Sequence, residues 1–182
     1  MRHAAIRRFA ITMVSAVGLG LTSIAQTTAP QLSEKPPDLP WTRVYIKDAF
    51  TADAARRALE GAAGRLAKPS CRLVFSEFQD GRGLPLSDRL VELDASPEGY
   101  LRLIVFLDGG GSPKCGKPGV LAFTSRNSRV VYLCGRDFER AERRDPGAMQ
   151  VTIIHELLHS LGLGENPPSP REISFGILRL CA

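Results

Sequence analysis

The stretch His155-Glu156-Leu157-Leu158-His159 has the residue types and the spacing that most directly suggest chemistry. Two histidines four residues apart lie on one face of a helix, one turn above the other. Both imidazoles can therefore reach a single zinc ion, and the glutamate between them is free to act on a water that the metal holds. The chain has three histidines, and the third is His3, so a chain that lost its N-terminus would carry no further imidazole.

A catalytic zinc site needs a third protein ligand and an open position for water. Since the motif holds every histidine beyond His3, the third ligand must be a carboxylate, a thiolate or a residue that the pattern does not reveal. Two carboxylates follow the motif, Glu165 and Glu172. Ser169, three residues before Glu172, forms a capping-box pattern that favours a structural duty for this glutamate. We therefore favour Glu165 as the third ligand and keep Glu172 as the alternative.

The extended pattern His155-Glu156-x-x-His159-x-x-Gly162-x-x-Glu165 resembles the motif of the metzincins, a group of zincin-type zinc metallopeptidases. In that group the glycine permits a sharp turn, and the third ligand follows three residues later, usually as histidine and sometimes as aspartate. The resemblance implies that His155, His159 and Glu165 bind Zn²⁺ and that Glu156 is the general base.

The chain departs from the metzincin pattern in two respects. Glu165 stands where a histidine is usual, and no methionine follows Met149, so the methionine-containing turn of metzincins is missing. In the gluzincin pattern a glutamate on the next helix is the third ligand, which would choose Glu172. The longer run over residues 154–168 also resembles exported bacterial zincin-like proteins, which implies a zincin-like fold and export but no substrate.

Together these residues predict a secreted zinc-dependent peptidase that hydrolyses a peptide or protein substrate. Glu156 would take a proton from water and return it to the leaving amine. By analogy, a strand over residues 129–134 would align the substrate, and Tyr132 would either stabilise the oxyanion or, more commonly for such a tyrosine, simply pack. The alternative function is a secreted, non-catalytic zincin-fold binding module with a structural or vestigial zinc, which coordination by both Glu165 and Glu172 would favour.

The helices on either side of the site have clear boundary signals. Asp145 is a good N-cap and Pro146 suits the first helical position, so the motif helix is predicted to begin there. It should end near Gly162 or Gly164. Met149, Ile153, Leu157 and Leu161 form an apolar stripe at helical spacing, which indicates a core-facing surface. A last helix is predicted from the Ser169 capping box to about residue 180.

The remaining pattern predicts an α+β, zincin-like fold with a small mixed or antiparallel sheet, a packing helix, the motif helix and a C-terminal helix. Strands are predicted at 41–47, 73–78 and 101–107, with a hairpin at 120–124 and 129–134. A helix at 51–67 would have Thr51 as its N-cap, and short helices are predicted at 86–93 and 138–144. The glycine-rich loop 108–119 resembles a phosphate-binding loop, but Pro118 replaces the metal-binding hydroxyl, which argues against nucleotide binding.

Residues 1–25 predict a signal peptide, because arginines precede an uncharged, mostly apolar run that ends in small residues at Ser23-Ile24-Ala25. A membrane anchor is the alternative, but the run is short for a bilayer span. Residues 26–40 predict a flexible proline-rich leader, which leaves 41–182 as a single domain. After cleavage the net charge would be about +2, without a basic run interleaved with aromatics, so we expect neither a nucleic-acid partner nor a stable membrane anchor.

Four cysteines in an exported chain suggest two disulfides, with three possible pairings. We favour Cys115–Cys134, which closes a loop before the hairpin, and Cys71–Cys181, which ties the C-terminal helix to the body. The localisation that these features predict is periplasmic or extracellular. Substrate identity and oligomeric state are not encoded in any pattern that we recognise.

Overall fold

A computed structural model describes residues 43–182 of the 182-residue chain. The predicted signal peptide at 1–25 and the predicted leader at 26–40 lie outside the described residues. Within 43–182 the architecture is α+β, with seven α-helices and one four-stranded mixed sheet. The fold class predicted from sequence is confirmed at this level.

The sheet contains β1 (Val44–Tyr45), β2 (Val105–Asp108), β3 (Ala122–Thr124) and β4 (Val130–Leu133), in the order β1-β2-β4-β3. β1, β2 and β4 are parallel, and β3 pairs antiparallel with β4. β3 therefore forms one edge of the sheet, and the hairpin predicted from sequence is confirmed. β4 lies in the interior of the sheet with a neighbour on each side.

Two long helices dominate the core. α1 (Ala49–Leu66) packs on α6 (Pro146–Ser160), and its buried residues include small side chains such as Ala54, Ala58 and Ala62. The other helices are α2 (Arg72–Glu77), α3 (Leu86–Glu92), α4 (Pro97–Leu101), α5 (Gly135–Arg144) and α7 (Pro170–Leu180).

α5 is joined to α1 by an ion pair that reaches into the core. Glu142 on α5 is only 3% exposed. Its carboxylate accepts hydrogen bonds from Arg57 Nη2 at 2.6 Å and from Arg57 Nε at 3.1 Å. This bidentate geometry satisfies both carboxylate oxygens, so the buried charge is compensated.

The start of α6 follows the sequence signals. Asp145 accepts a hydrogen bond from the backbone N–H of Ala148 at 2.9 Å, and Pro146 occupies the first turn. α6 is buried on almost every side between α1, α5, α7 and β3. The predicted apolar stripe is confirmed, and the polar motif residues share the same buried environment.

Three local predictions were wrong. Residues 73–78 form helix α2 rather than a strand, because Val74 and Phe75 are buried while Leu73 is 53% exposed, a one-sided pattern that a short apolar run does not reveal. The strand predicted at 101–107 begins only at Val105, because Ser96 caps α4 ahead of it. The N-cap of α1 is Asp48, which accepts from the Thr51 N–H at 2.8 Å, and not Thr51 itself.

Both favoured disulfide pairings are present. Cys71–Cys181 joins the start of α2 to the end of α7, and Cys115–Cys134 joins the glycine-rich loop to the end of β4. The loop also holds a short 3₁₀ helix, Pro113–Gly116. No helix among residues 43–182 combines the length and the apolar composition needed to cross a bilayer.

Removal of Cys71–Cys181 should destabilise the fold more than removal of Cys115–Cys134. The two bridges join residues 110 and 19 positions apart. In the chain-entropy model these loops correspond to about 5 and about 3 kcal/mol. The double variants Cys71→Ala/Cys181→Ala and Cys115→Ala/Cys134→Ala, compared by urea unfolding, should therefore lose stability in that order. An equal loss would mean that loop length does not set the contribution of these bridges.

Candidate metal centre

Three potential ligands converge at the C-terminal end of α6. His155 and His159 lie on the helix, each 9% exposed, and Glu165 lies on the segment that follows. Glu165 Oε1 is 3.1 Å from His159 Nε2 and 3.6 Å from His155 Nε2. One ligand atom from each residue lies within 4.8 Å of the others, so the group could hold a metal ion.

The donor set fits a small divalent ion. Nitrogen and oxygen ligands bind zinc at about 2.0–2.1 Å, which places tetrahedral neighbours about 3.3 Å from each other. The distances from Glu165 Oε1 to the two imidazole nitrogens, 3.1 and 3.6 Å, lie on either side of this value. Two imidazoles and one carboxylate also form a common protein ligand set for catalytic zinc.

A turn at Gly162 brings Glu165 back to the helix. Gly162 has a φ of +119°, a conformation that side chains with a Cβ rarely adopt. A Cβ there would lie 2.9 Å from Asn127 Oδ1 and 3.1 Å from Asp80 Cβ, so space as well as conformation requires glycine. The helix ends at Ser160 and the chain reverses immediately, as the sequence predicted for Gly162 or Gly164.

Hydrogen bonds behind the imidazoles orient both rings. His159 Nδ1 lies 2.9 Å from the carbonyl oxygen of Leu163. A carbonyl only accepts, so Nδ1 donates this hydrogen bond, and Nε2 is the ring nitrogen that faces Glu165. His155 Nδ1 lies 3.2 Å from Ser174 Oγ on α7, which leaves its Nε2 facing the same point. The rings meet edge to face, with centroids 4.8 Å apart.

Burial also sets the charge of His155. Desolvation, followed by the nearby His159, lowers the pKa of His155 to about 4, and Glu165 opposes this shift only in part. His155 is therefore neutral at pH 7. Neutral imidazole is the form that binds metal.

Glu156 is buried beside the ligands and is only 7% exposed. Burial and the nearby Glu165 carboxylate raise the pKa of Glu156 to about 7. A hydrogen bond from the Thr124 backbone and the charge of Lys114 oppose this rise. A carboxyl group whose pKa lies near neutrality can both take and return a proton at physiological pH.

Glu172 lies in the capping box at the start of α7. Its Oε2 accepts hydrogen bonds from the backbone N–H and the hydroxyl of Ser169, both at 2.7 Å. These bonds lower the pKa of Glu172. The predicted capping box is confirmed, and the structure brings Glu165 rather than Glu172 to the two histidines.

A cavity of about 370 Å³ opens beside Glu156, His159 and Glu165. Its opposite wall is β3, the edge strand, together with three cationic side chains: Lys114, Lys117 and Arg126. Thr124 on β3 directs its backbone N–H at Glu156. Alternate residues of a strand direct their backbone groups to opposite edges, so Ala122 directs its groups the same way, to the unpaired edge.

The strand predicted to align a substrate has no free edge. Residues 129–134 include β4, whose backbone groups are used by β2 and β3. Tyr132 stacks on Phe123 of β3, with ring centroids 5.0 Å apart and planes at 13°, and it does not line the cavity. Its role is the packing role that we considered more common.

Sequence reasoning missed Ser174, Thr124 and the lysines of the glycine-rich loop. Ser174 lies 19 positions after His155 in sequence, beyond the reach of any local pattern. The loop drew attention only as a possible phosphate-binding loop, and its position beside the motif helix depends on tertiary structure.

No protein-family model matches the chain, and searches of curated proteins and of solved structures find no match either.

Substitution of Glu165 should weaken zinc binding far more than substitution of Glu172. Glu165→Ala removes a candidate ligand, so the zinc affinity should fall by more than the 10–100-fold typical of outer partners. Glu172→Ala removes only the capping contact, which should cost about 1 kcal/mol of stability and leave the affinity nearly unchanged. Competition with a chromophoric chelator measures both affinities. The reverse order of effects would assign the third ligand to Glu172.

Ser174→Ala should weaken zinc binding by about 10-fold or more, because His155 loses the partner that orients its ring. Ser174 is partly buried on α7 and contributes no ligand atom to the group. Ser174→Thr, which keeps the hydroxyl, is the matched control. An affinity for zinc that is unchanged in Ser174→Ala would remove this hydroxyl from the site.

Proposed function

We propose that the protein is an exported zinc-dependent peptidase of the zincin type. The observation that carries this proposal is the convergence of His155, His159 and Glu165 beside the buried carboxyl group of Glu156, next to an open sheet edge. The local sequence pattern resembles the metzincin motif, with glutamate as the third ligand. Export is supported by the signal-peptide pattern at 1–25 and by the two disulfides.

His155, His159 and Glu165 would hold the ion. When bound, zinc supplies Lewis-acid activation of water and of the scissile carbonyl group. The three residues provide three protein ligands, whereas structural zinc sites have four. Among residues 43–182 no fourth His, Cys, Asp or Glu joins the group, which favours a catalytic site over the alternative of a binding module with structural zinc.

Glu156 is the general base in this proposal. Its carboxylate takes a proton from the attacking water, and the resulting acid returns that proton to the amine that leaves when the peptide bond breaks. Its raised pKa of about 7 suits both steps near neutral pH. The Thr124 backbone N–H favours the charged form of this carboxyl group, since it lowers the pKa against the effect of burial.

The edge strand offers a way to position a substrate. An extended peptide can add to a free sheet edge through main-chain hydrogen bonds. The outward-facing backbone groups of Ala122 and the C=O of Thr124 lie in the wall of the cavity. A peptide paired along β3 would carry its backbone past Glu156, and this pairing would be largely independent of side chains.

Glu156→Gln should retain zinc and lose hydrolysis of a peptide library by about 10²–10⁴-fold, the usual contribution of a general base. The mature protein lacking residues 1–25 is assayed with about one equivalent of zinc, and products are read by mass spectrometry. Glu172→Gln, an equally conservative change on α7, serves as the control and should remain active. Hydrolysis at an unchanged rate in Glu156→Gln would remove this residue from the mechanism.

Absence of cleavage by the zinc-loaded wild-type protein, with zinc bound at one equivalent per chain, would favour the binding-module alternative instead. A folded protein that takes up no zinc would contradict both versions of the proposal.

A further inference from the structure

A second, larger cavity adjoins the candidate metal centre. Its volume is about 760 Å³, and its two walls are the loop over residues 115–121 and one face of α5. It shares Lys117 and Val120 with the cavity beside Glu156. The two cavities therefore meet at the N-terminal end of β3, and a chain lying along β3 would continue into the larger cavity.

Cations dominate the larger cavity. Lys117, Arg140, Arg143 and Arg144 line it, against a single acidic residue, Asp137. Arg140 pairs with Asp137, and Arg143 pairs with Glu139 at 2.8 Å. Within the described range 43–182, neither Lys117 nor Arg144 forms an ion pair, so these two cations are available to a ligand.

The same sign of charge continues into the metal-centre cavity. Its cations are Lys114, Lys117 and Arg126, and its two carboxylates are Glu156 and Glu165. Both carboxylates belong to the candidate metal centre, where a divalent ion would offset their charge. The surface that remains for the side chains of a substrate therefore carries mainly positive charge in both cavities.

The larger cavity, which we call the basic cavity after Lys117, Arg140, Arg143 and Arg144, lies between a loop and a helix that other contacts hold in place. Cys115–Cys134 joins the loop wall to the start of α5, since α5 begins at Gly135. Ser112 Oγ accepts from the Lys114 N–H at 3.3 Å, and Lys114 Nζ lies 4.9 Å from the centroid of the Phe123 ring. α5 is anchored by buried Phe138 and by the Glu142–Arg57 pair. These contacts fix the loop and the helix that carry the cations, while the side chains of Lys117 and Arg144 are themselves exposed and accessible to a ligand.

We propose that the basic cavity is a specificity subsite for acidic side chains of a peptide bound along β3. This inference rests on the proposed peptidase function, because the peptide backbone is placed by the edge strand. Strand geometry advances about 3.3 Å per residue, and Thr124, beside Glu156, lies four residues after Val120. One side of the bound peptide would run past the N-terminal end of β3. On that side, an aspartate or glutamate about three to five residues from the scissile bond would reach Lys117 and Arg144.

A peptide fits this surface better than an extended polyanion. The cations line two adjoining concave cavities, one of which contains the candidate metal centre. A nucleic acid or a sulfated glycan would be favoured by a long, open stripe of charge. The cavity also joins an unpaired strand edge, which recognises peptide backbone and has no counterpart in the recognition of phosphate or sulfate chains.

Binding is measured in zinc-loaded Glu156→Gln, which separates recognition from hydrolysis. Fluorescent peptides of one length and sequence carry Glu, Gln or Lys at the tested positions, and anisotropy gives their Kd at low and at high salt. The Glu peptide should bind about tenfold more tightly than the Gln peptide at low salt, with the difference shrinking at high salt. Adding Lys117→Gln and Arg144→Gln should abolish the difference.

The matched control is Lys47→Gln with Arg72→Gln, which removes the same charge from exposed positions outside both cavities and should preserve the preference. Equal binding of the Glu and Gln peptides, or a preference that survives Lys117→Gln/Arg144→Gln, would overturn the subsite. Tighter binding of an oligonucleotide of equal charge than of the Glu peptide, lost in the same double variant, would overturn its assignment to peptides.

The wild-type enzyme separates failure of this inference from failure of the proposed function. Cleavage of the Glu and Gln peptides with equal kcat/KM would reject the acidic subsite and leave peptidase activity intact. Selective binding of the Glu peptide without cleavage of any peptide would reject peptidase activity and support the subsite as a binding site.

Discussion

The reversal of the chain at Gly162 is the constraint on which the candidate metal centre depends. This one turn delivers two groups to His159: the carbonyl oxygen of Leu163, which holds Nδ1, and the carboxylate of Glu165, which faces Nε2. A side chain at position 162 would meet Asn127 and oppose the required φ. Substitution of Gly162 would therefore displace Glu165, a candidate ligand, and with it the Leu163 carbonyl group that orients His159.

The buried setting of α6 explains why its polar residues have several partners. Two imidazoles and a carboxyl group in an apolar environment would be costly without hydrogen bonds or a compensating ion. Leu163 and Ser174 each pair with one imidazole, and the Thr124 backbone stabilises the charged form of Glu156. The three partners come from a turn, from α7 and from the edge strand. The functional site thus depends on how these elements pack around α6.

Local signals allowed most of this site to be predicted from the sequence, and non-local contacts account for what was missed. Asp145, the Ser169 capping box and the hairpin each lie within a few residues of the structure that they specify, so they were predicted correctly. The apolar run at 73–78 fits a strand or a helix, and burial of one side decided for the helix. Which strand of the hairpin lies at the edge depends on β2 joining β4 across 25 residues of chain, which no local pattern encodes.

The two disulfides lie at places where the site needs support from distant parts of the chain. Cys71–Cys181 fastens the end of α7, the helix that carries Ser174, to the start of α2. Cys115–Cys134 fastens the loop that carries the cavity lysines to the strand beside β3. The loop has only a short 3₁₀ helix of its own. In a small domain with a short sheet, covalent bridges therefore supply order that a larger core would otherwise provide, and they supply it on both sides of the candidate metal centre.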